Sequence, residues 1–165
     1  MSIKLRALVI DDSGVMRKMV IKALTDAQLA EFEFIEAEDG QIAFEKLKES
    51  AIDIAFVDWN MPNMTGVDFV REVRKWEKSN DHEHIPLVMV TSEKTMGKIQ
   101  EALDQAGADG FITKPFTAEE MKVKLKKHTD KAQLQRLRKE RAKNQAAAPA
   151  TKPQESGGWL RKMFS

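Results

Sequence analysis

Two adjacent carboxylates, Asp11 and Asp12, end the first apolar run of the chain, and a third, Asp58, ends another. Thr91-Ser92 closes a fourth run and Lys114-Pro115 a fifth. Carboxylates gathered in one place repel each other and must be neutralised, so folding alone does not explain them. Three carboxylates suit a hard divalent cation such as magnesium, which takes oxygen ligands at about 2.0–2.1 Å and usually keeps several waters. Asp11 and Asp12 facing Asp58 could hold such an ion while leaving Asp58 as a nucleophile, because carboxylates can form aspartyl phosphates. Lys114 could neutralise a phosphoryl oxygen and the Thr91 hydroxyl could hydrogen-bond another.

These residues lie far apart in sequence, so the elements between them must bring them together. Short apolar runs at Leu5–Ile10, Phe32–Ala37, Ile52–Val57, Leu87–Val90 and Gly110–Thr113 read as strands buried on both faces. Between them, apolar residues recur at helical spacing: Met16, Met19, Val20, Ala23, Leu24 and Ala27, then Ile42, Ala43 and Leu47. Val67, Phe69, Val70 and Val73 follow, then Ile99, Ala102, Leu103 and Ala106. Met16 and Met19 read as core packing. A last helix opens at the capping box Thr117-Ala-Glu-Glu120. Strands alternating with helices predict an α/β fold, a doubly wound parallel sheet with helices on both faces. In such a sheet ligands bind beyond the carboxyl ends of the strands, where the polar residues collect here.

Charge divides the chain. The whole sequence has 27 Lys/Arg and 26 Asp/Glu. Residues 1–121 nonetheless carry an excess of nine acids and residues 122–165 an excess of ten bases. No cysteine is present, which excludes disulfides and thiolate metal sites and suits a reducing cytoplasm. No apolar run approaches the roughly 18–20 residues of a membrane span, and the amino terminus lacks a signal-peptide pattern. His82 and His84 fall in a polar loop and are assigned no role.

Asp11-Asp12, Val57-Asp-Trp-Asn-Met-Pro-Asn-Met-Thr-Gly66, Val90-Thr-Ser92 and Ala108-Asp-Gly-Phe-Ile-Thr-Lys-Pro-Phe116 together resemble the receiver domain of bacterial two-component response regulators. The likeness is to the single-domain chemotaxis (CheY-like) type and covers about residues 4–128. It implies a flavodoxin-like (βα)5 sheet of order 2-1-3-4-5. It also implies Asp58 as phosphoacceptor, with Asp12, Asp58 and the Asn60 carbonyl binding magnesium and Asp11 acting mainly through water. Thr91 and Lys114 would sense the phosphoryl group, the Lys114–Pro115 bond would be cis, and Phe111 would turn inward as the aromatic switch. Tyr is common at that last position, and with Phe any contact through its hydroxyl is lost. Asn60 and Glu93 match positions that tune dephosphorylation.

The resemblance further implies a stand-alone, cytoplasmic switch phosphorylated by a CheA-like histidine kinase, with a flagellar switch component or a phosphatase as downstream partner. The expected output surface is helix 4–strand 5–helix 5, with Ile99, Phe111, Lys124 and Lys127 as contacts. Such a protein catalyses only its own phosphorylation and dephosphorylation. An aspartyl phosphohydrolase is the rival enzyme reading. However, haloacid-dehalogenase-type phosphatases place Asp-x-Asp after the first strand, and this chain has adjacent acids there and no inserted cap domain. A phosphorylation-independent adaptor acting through the tail is the other rival.

The expected organisation is a receiver domain over 1–128, a basic helical extension over 129–144 that leaves the body of the domain, a flexible linker over 145–158, and an apolar segment over 159–165. In that last segment Trp159, Leu160, Met163 and Phe164 suit a partner groove or a membrane surface. A basic tail folded back on the acidic body is a further alternative. Nucleic acid is disfavoured, since no aromatic residue is interleaved with the cations and no helix-turn-helix follows.

Overall fold

The computed structural model describes residues 3–147 except Glu93. Five strands alternate with helices: β1 (Lys4–Ile10), α1 (Gly14–Ala27), β2 (Glu31–Ala37), α2 (Gly40–Glu49), β3 (Ile54–Asp58), α3 (Gly66–Ser79), β4 (Leu87–Thr91), α4 (Met96–Glu101), β5 (Gly110–Thr113) and α5 (Ala118–Ala147). The strands form one parallel sheet in the order β2-β1-β3-β4-β5. The predicted doubly wound, flavodoxin-like sheet is therefore present.

Successive strand residues point to opposite faces, so each central strand serves two cores. Leu8 and Ile10 of β1, Ala55 and Val57 of β3, and Leu87 and Met89 of β4 pack with Ala43 and Leu47 of α2 and Phe69, Val70 and Val73 of α3. Leu5, Ala7 and Val9, Ile54 and Phe56, and Val88 and Val90 pack instead with Val20 and Leu24 of α1 and Met121 and Leu125 of α5. Each fully buried Val, Leu, Ile, Phe or Met side chain among them contributes about 1.5–3 kcal/mol. β2 departs from the expectation of burial on both faces. As one edge strand it exposes Glu31 and Glu33 and leaves Phe32 and Phe34 half-buried, and β5 at the other edge buries only Ile112 fully.

Polar caps start the helices at the carboxyl end of the sheet. Oxygens of Ser13, Asp39, Thr65 and Thr117 accept the backbone N–H groups of Met16, Ile42, Asp68 and Glu120. Such caps are worth about 1 kcal/mol each and fix where the chain leaves each strand.

Three expectations need correction. Met19 is half exposed, not core, because Val20, Ala23, Leu24 and Ala27 define the buried face of α1. The fourth helix is not uniform: α4 passes into a π-helical segment, Ala102–Ala106, before the positive-φ Gly107. Finally, α5 does not leave the body of the domain after His128. Thr129 and Ala132 are fully buried, and Arg136 reaches the carboxylate of Asp53 at 3.5 Å.

Asp53 precedes β3, and its Oδ2 also accepts the backbone N–H of Arg6 at 2.8 Å. The distal half of α5 thus lies against the amino ends of the strands, opposite the capped pole. At the near end, Gly110 makes room for α5, since a Cβ there would stand 2.7 Å from Nε2 of His128.

Candidate functional site

The carboxyl ends of β1, β3, β4 and β5 converge. Asp58 is the last residue of β3 and is paired in register with Val90 of β4. Thr91, the last residue of β4, is fully buried and paired with Thr113 of β5. The Lys114 backbone N–H donates to the Thr91 carbonyl at 2.7 Å, which carries β5 pairing up to the lysine. The Lys114–Pro115 peptide is cis.

Lys114 extends its ammonium across the site, 3.0 Å from Oδ1 of Asp58 and 3.4 Å from Oδ2 of Asp11. Asp11 is buried, with its Oδ1 accepting the Ser13 N–H at 2.9 Å. Asp12, beside it, is exposed. One oxygen from each of Asp11, Asp12 and Asp58 can lie within 4.8 Å of the others.

Electrostatics follows from this crowding. Burial pushes the Asp58 carboxyl above its ordinary range; the Lys114 hydrogen bond opposes the rise, and the charges of Asp11 and Asp12 reinforce it. Burial likewise raises Asp11, against the Ser13 N–H and Lys114. For Lys114 burial favours loss of the proton, but the contact with Asp58 and the charge of Asp11 outweigh it, and its pKa is raised. Three carboxylates and one ammonium leave two negative charges when all are ionised, which one divalent cation neutralises. The all-oxygen donor set and its spacing fit magnesium.

Two residues outside the sequence-derived set build the site. Arg17, one turn into α1, donates to the Asp11 carbonyl at 2.7 Å and to the Glu36 carboxylate at 2.9 Å. It braces the loop that carries both acids. Gly66 opens α3 so close to β3 that a Cβ would stand 2.2 Å from the Asp58 carbonyl oxygen. The spacing of Arg17 from Asp11-Asp12, and a glycine directly after the helix cap Thr65, were the available sequence signals for these two.

The remaining sequence-derived residues divide. Asn60 is exposed in the β3–α3 loop, and Trp59 beside it is half-buried against the core. Phe111 is half-buried in β5, with the Lys124 ammonium 5.3 Å from its ring centroid. Lys124 and Lys127 are exposed and line an open cleft with Leu103, Phe111, Val123 and His128. Ile99 does not belong to that surface: it is 2% exposed, because it is the side chain that packs α4 inward. Met96, 63% exposed at the start of α4, is the apolar residue presented instead. Glu93 and the segment with Trp159, Leu160, Met163 and Phe164 lie outside the described residues.

An open parallel α/β domain with three acids and a lysine at its carboxyl pole defines a class, and the comparisons with known proteins agree with it. Residues 7–126 match the response regulator receiver domain, and the chain belongs to that family. A chemotaxis protein CheY of Pseudomonas aeruginosa is 40% identical over 123 residues, 74% of this chain and 94% of that protein. CheY1 of Helicobacter pylori is 38% identical over 122 residues, covering 73% and 94%. Among solved structures, the chemotaxis response regulator CheY4 of Vibrio cholerae aligns with a TM-score of 0.62 at 34% identity, over 72% of this chain and 93% of that one. The family match stops at residue 126, so the whole distal half of α5 lies beyond it.

Proposed function

We propose that this chain is a chemotaxis-type response regulator that accepts a phosphoryl group on Asp58 from a histidine kinase and signals by phosphorylation-dependent protein binding. The observation that carries this reading is the Lys114 ammonium held between Asp58 and Asp11 in an otherwise acidic pocket. An oxygen of the Asp58 carboxylate attacks phosphorus as the bond to the donor's histidine nitrogen breaks, and that nitrogen keeps the electron pair. Magnesium, held by Asp11, Asp12 and Asp58 with the Asn60 carbonyl, would supply charge neutralisation at the phosphoryl oxygens. Lys114 then exchanges part of its contact with Asp58 for a phosphoryl oxygen, and the Thr91 hydroxyl takes another.

The register supports a route outward. β4 pairs with Asp58 on one side and with β5 on the other, so a displacement of Thr91 bears directly on the strand that holds Phe111. The cleft lined by Phe111, Lys124 and Lys127 is the output surface, and a flagellar switch component or a phosphatase is the kind of partner that the CheY relatives suggest. Asn60 and Glu93 tune the lifetime of the phosphorylated state. The protein turns over no free substrate beyond its own phosphorylation and dephosphorylation.

The test is tryptophan fluorescence, with Trp59 beside Asp58 as reporter, during titration with magnesium and then acetyl phosphate. The expected result is a magnesium response followed by a donor-dependent change that Asp58→Asn abolishes. A folded wild-type protein that responds to neither ligand would refute the phosphoacceptor reading.

A further inference from the structure

We propose that the distal half of α5 is a docking surface for an anionic lipid bilayer, which it contacts with the pole of the domain opposite Asp58. The distal half, residues 133–147, carries five Lys/Arg and one acid. Successive helical residues turn by about 100°, which sorts them by face. Met121, Leu125, Thr129 and Ala132 face the sheet and are buried. The opposite side presents Leu134, Leu137, Arg138 and Arg141 to solvent, with Leu134 50% and Leu137 39% exposed. On the other side of the helix, turned towards the domain, Arg6, Arg136, Lys139 and Lys143 line an open cleft of roughly 800 Å³ in which Glu140 is the acid among the lining residues.

Charge and apolar surface together select the partner. A nucleic-acid backbone rewards cations but gives nothing for two exposed leucines, and α5 offers no aromatic ring to stack on a base. An acidic bilayer rewards both, because the cations meet headgroups while Leu134 and Leu137 enter the acyl boundary. Residues of the same chemistry recur further along the sequence. Twelve residues beyond Ala147 comes Trp159-Leu-Arg-Lys-Met-Phe164, in which four apolar side chains flank two cations. Among the described residues no helix is long and apolar enough to cross a membrane, so the contact is peripheral.

The geometry keeps signalling free. The distal half of α5 covers the amino ends of β1 and β3, whereas Asp58 and Lys114 lie at the carboxyl ends. The output cleft is lined by the first turns of α5, before the leucine stripe begins.

The experiment sediments the full chain with vesicles of phosphatidylcholine alone or mixed with phosphatidylglycerol, at low and high salt. Binding to the mixed vesicles alone, weakened by salt, is expected. Each cation at the surface contributes about fivefold. Arg138→Glu with Arg141→Glu, confirmed as folded by its urea midpoint and magnesium response, should therefore lower the affinity on the order of a hundredfold. Leu134→Gln with Leu137→Gln should lower it by about tenfold or more at unchanged charge. Equal binding to neutral vesicles, or none to either, would overturn the proposal. So would a random DNA duplex that binds the full chain while the vesicles do not. Truncation after Ala147 supplies the last control: a truncated chain that retains salt-sensitive binding supports the helix as the docking surface. Complete loss on truncation, with Arg138→Glu/Arg141→Glu at wild-type affinity, would move the contact to the terminal segment and refute the role of α5.

Discussion

Replacing Arg136 by Ala should destabilise the receiver although the residue lies beyond the family match. Its partner Asp53 has a side chain only 2% exposed, and the two approach to 3.5 Å. Removing one member of a buried ion pair costs about 3–5 kcal/mol when the other charge is left without compensation. Here Asp53 keeps the Arg6 N–H at 2.8 Å and the nearby charge of Lys139, and Arg136 itself is 24% exposed. The expected cost is therefore smaller, about 1–3 kcal/mol at neutral pH. Urea unfolding followed by tryptophan fluorescence reads this directly. With a slope of about 2 kcal/mol per molar urea, the midpoint should fall by about 0.5–1.5 M.

The pH dependence separates this mechanism from simple loss of packing. Burial raises Asp53, against the Arg6 N–H and the charges of Arg136, Lys139 and Arg6. A carboxyl with a raised pKa gives a stability contribution that is full below its unfolded pKa and lost as pH rises through its folded pKa. Without Arg136 the folded pKa climbs further, so the deficit should be largest near neutrality and shrink as the pH falls and Asp53 takes up a proton. Asp53→Asn in the Arg136→Ala background should recover part of the loss, because the amide oxygen still accepts the Arg6 N–H. A deficit below about 0.5 kcal/mol near neutrality, or one that is unchanged as the pH falls, would refute the pairing as the lock on distal α5.

Other predictions concern the site and the second face of α5. Gly66→Ala would place a Cβ 2.2 Å from the Asp58 carbonyl and 2.9 Å from Met89 Cε. Because the first neighbour is backbone, we expect about 1–3 kcal/mol of destabilisation together with a weakened magnesium response, read by urea unfolding and by titration. Arg17→Ala releases the Asp11 carbonyl and Glu36, and should weaken magnesium binding by about tenfold while the fold persists; calorimetric titration checks it. His128 is lowered by burial, with Asp109 opposing and Lys127 and Lys131 adding to the shift. Its contribution is full above the ordinary histidine pKa of about 6.5 and is lost as pH falls through the folded value. His128→Gln should flatten the decline of the urea midpoint between about pH 7 and pH 5.

The fold was legible because its signals are local. Five short apolar runs, each followed by a helical period and four of them by a polar cap, leave few other topologies. The site was legible for a related reason: Asp11, Asp58, Thr91 and Lys114 each end a strand, and parallel strands bring such ends together. What the sequence hid depends on which way a helix faces. Ile99 has the spacing of either an inner or an outer position, and only packing on the sheet places it inside. Met19 is the converse, turned outward because its neighbours already fill the face of α1. The course of distal α5 was hidden by distance, since Asp53 and Arg136 belong to different elements and neither stands in a recognisable motif. Edge strand β2 looked like the central strands because Phe32, Phe34 and Ile35 are apolar whether or not a helix covers them.

Locking α5 at its distal end has a consequence for the switch. Met121, Leu125 and Ala132 are at most 1% exposed, and Arg136 pins the helix below them, so moving α5 as a rigid body would break a core layer and an ion pair together. α4 is held far less firmly. It is six residues long, Ile99 is its buried side chain, and it runs into the π-helical turn Ala102–Ala106, a rare geometry that is frequent at functional sites. Rearrangement that begins at Thr91 should therefore be taken up by α4 and the side chain of Phe111, with α5 as the fixed wall of the cleft. Local opening free energy follows burial and packing, so amide exchange should be fastest in α4 and its π turn and slowest in residues 121–132 of α5. Addition of magnesium and acetyl phosphate should change protection in the first segment and leave the second unchanged. Equal changes in both would mean that α5 moves with the switch and that its distal lock is too weak to hold it.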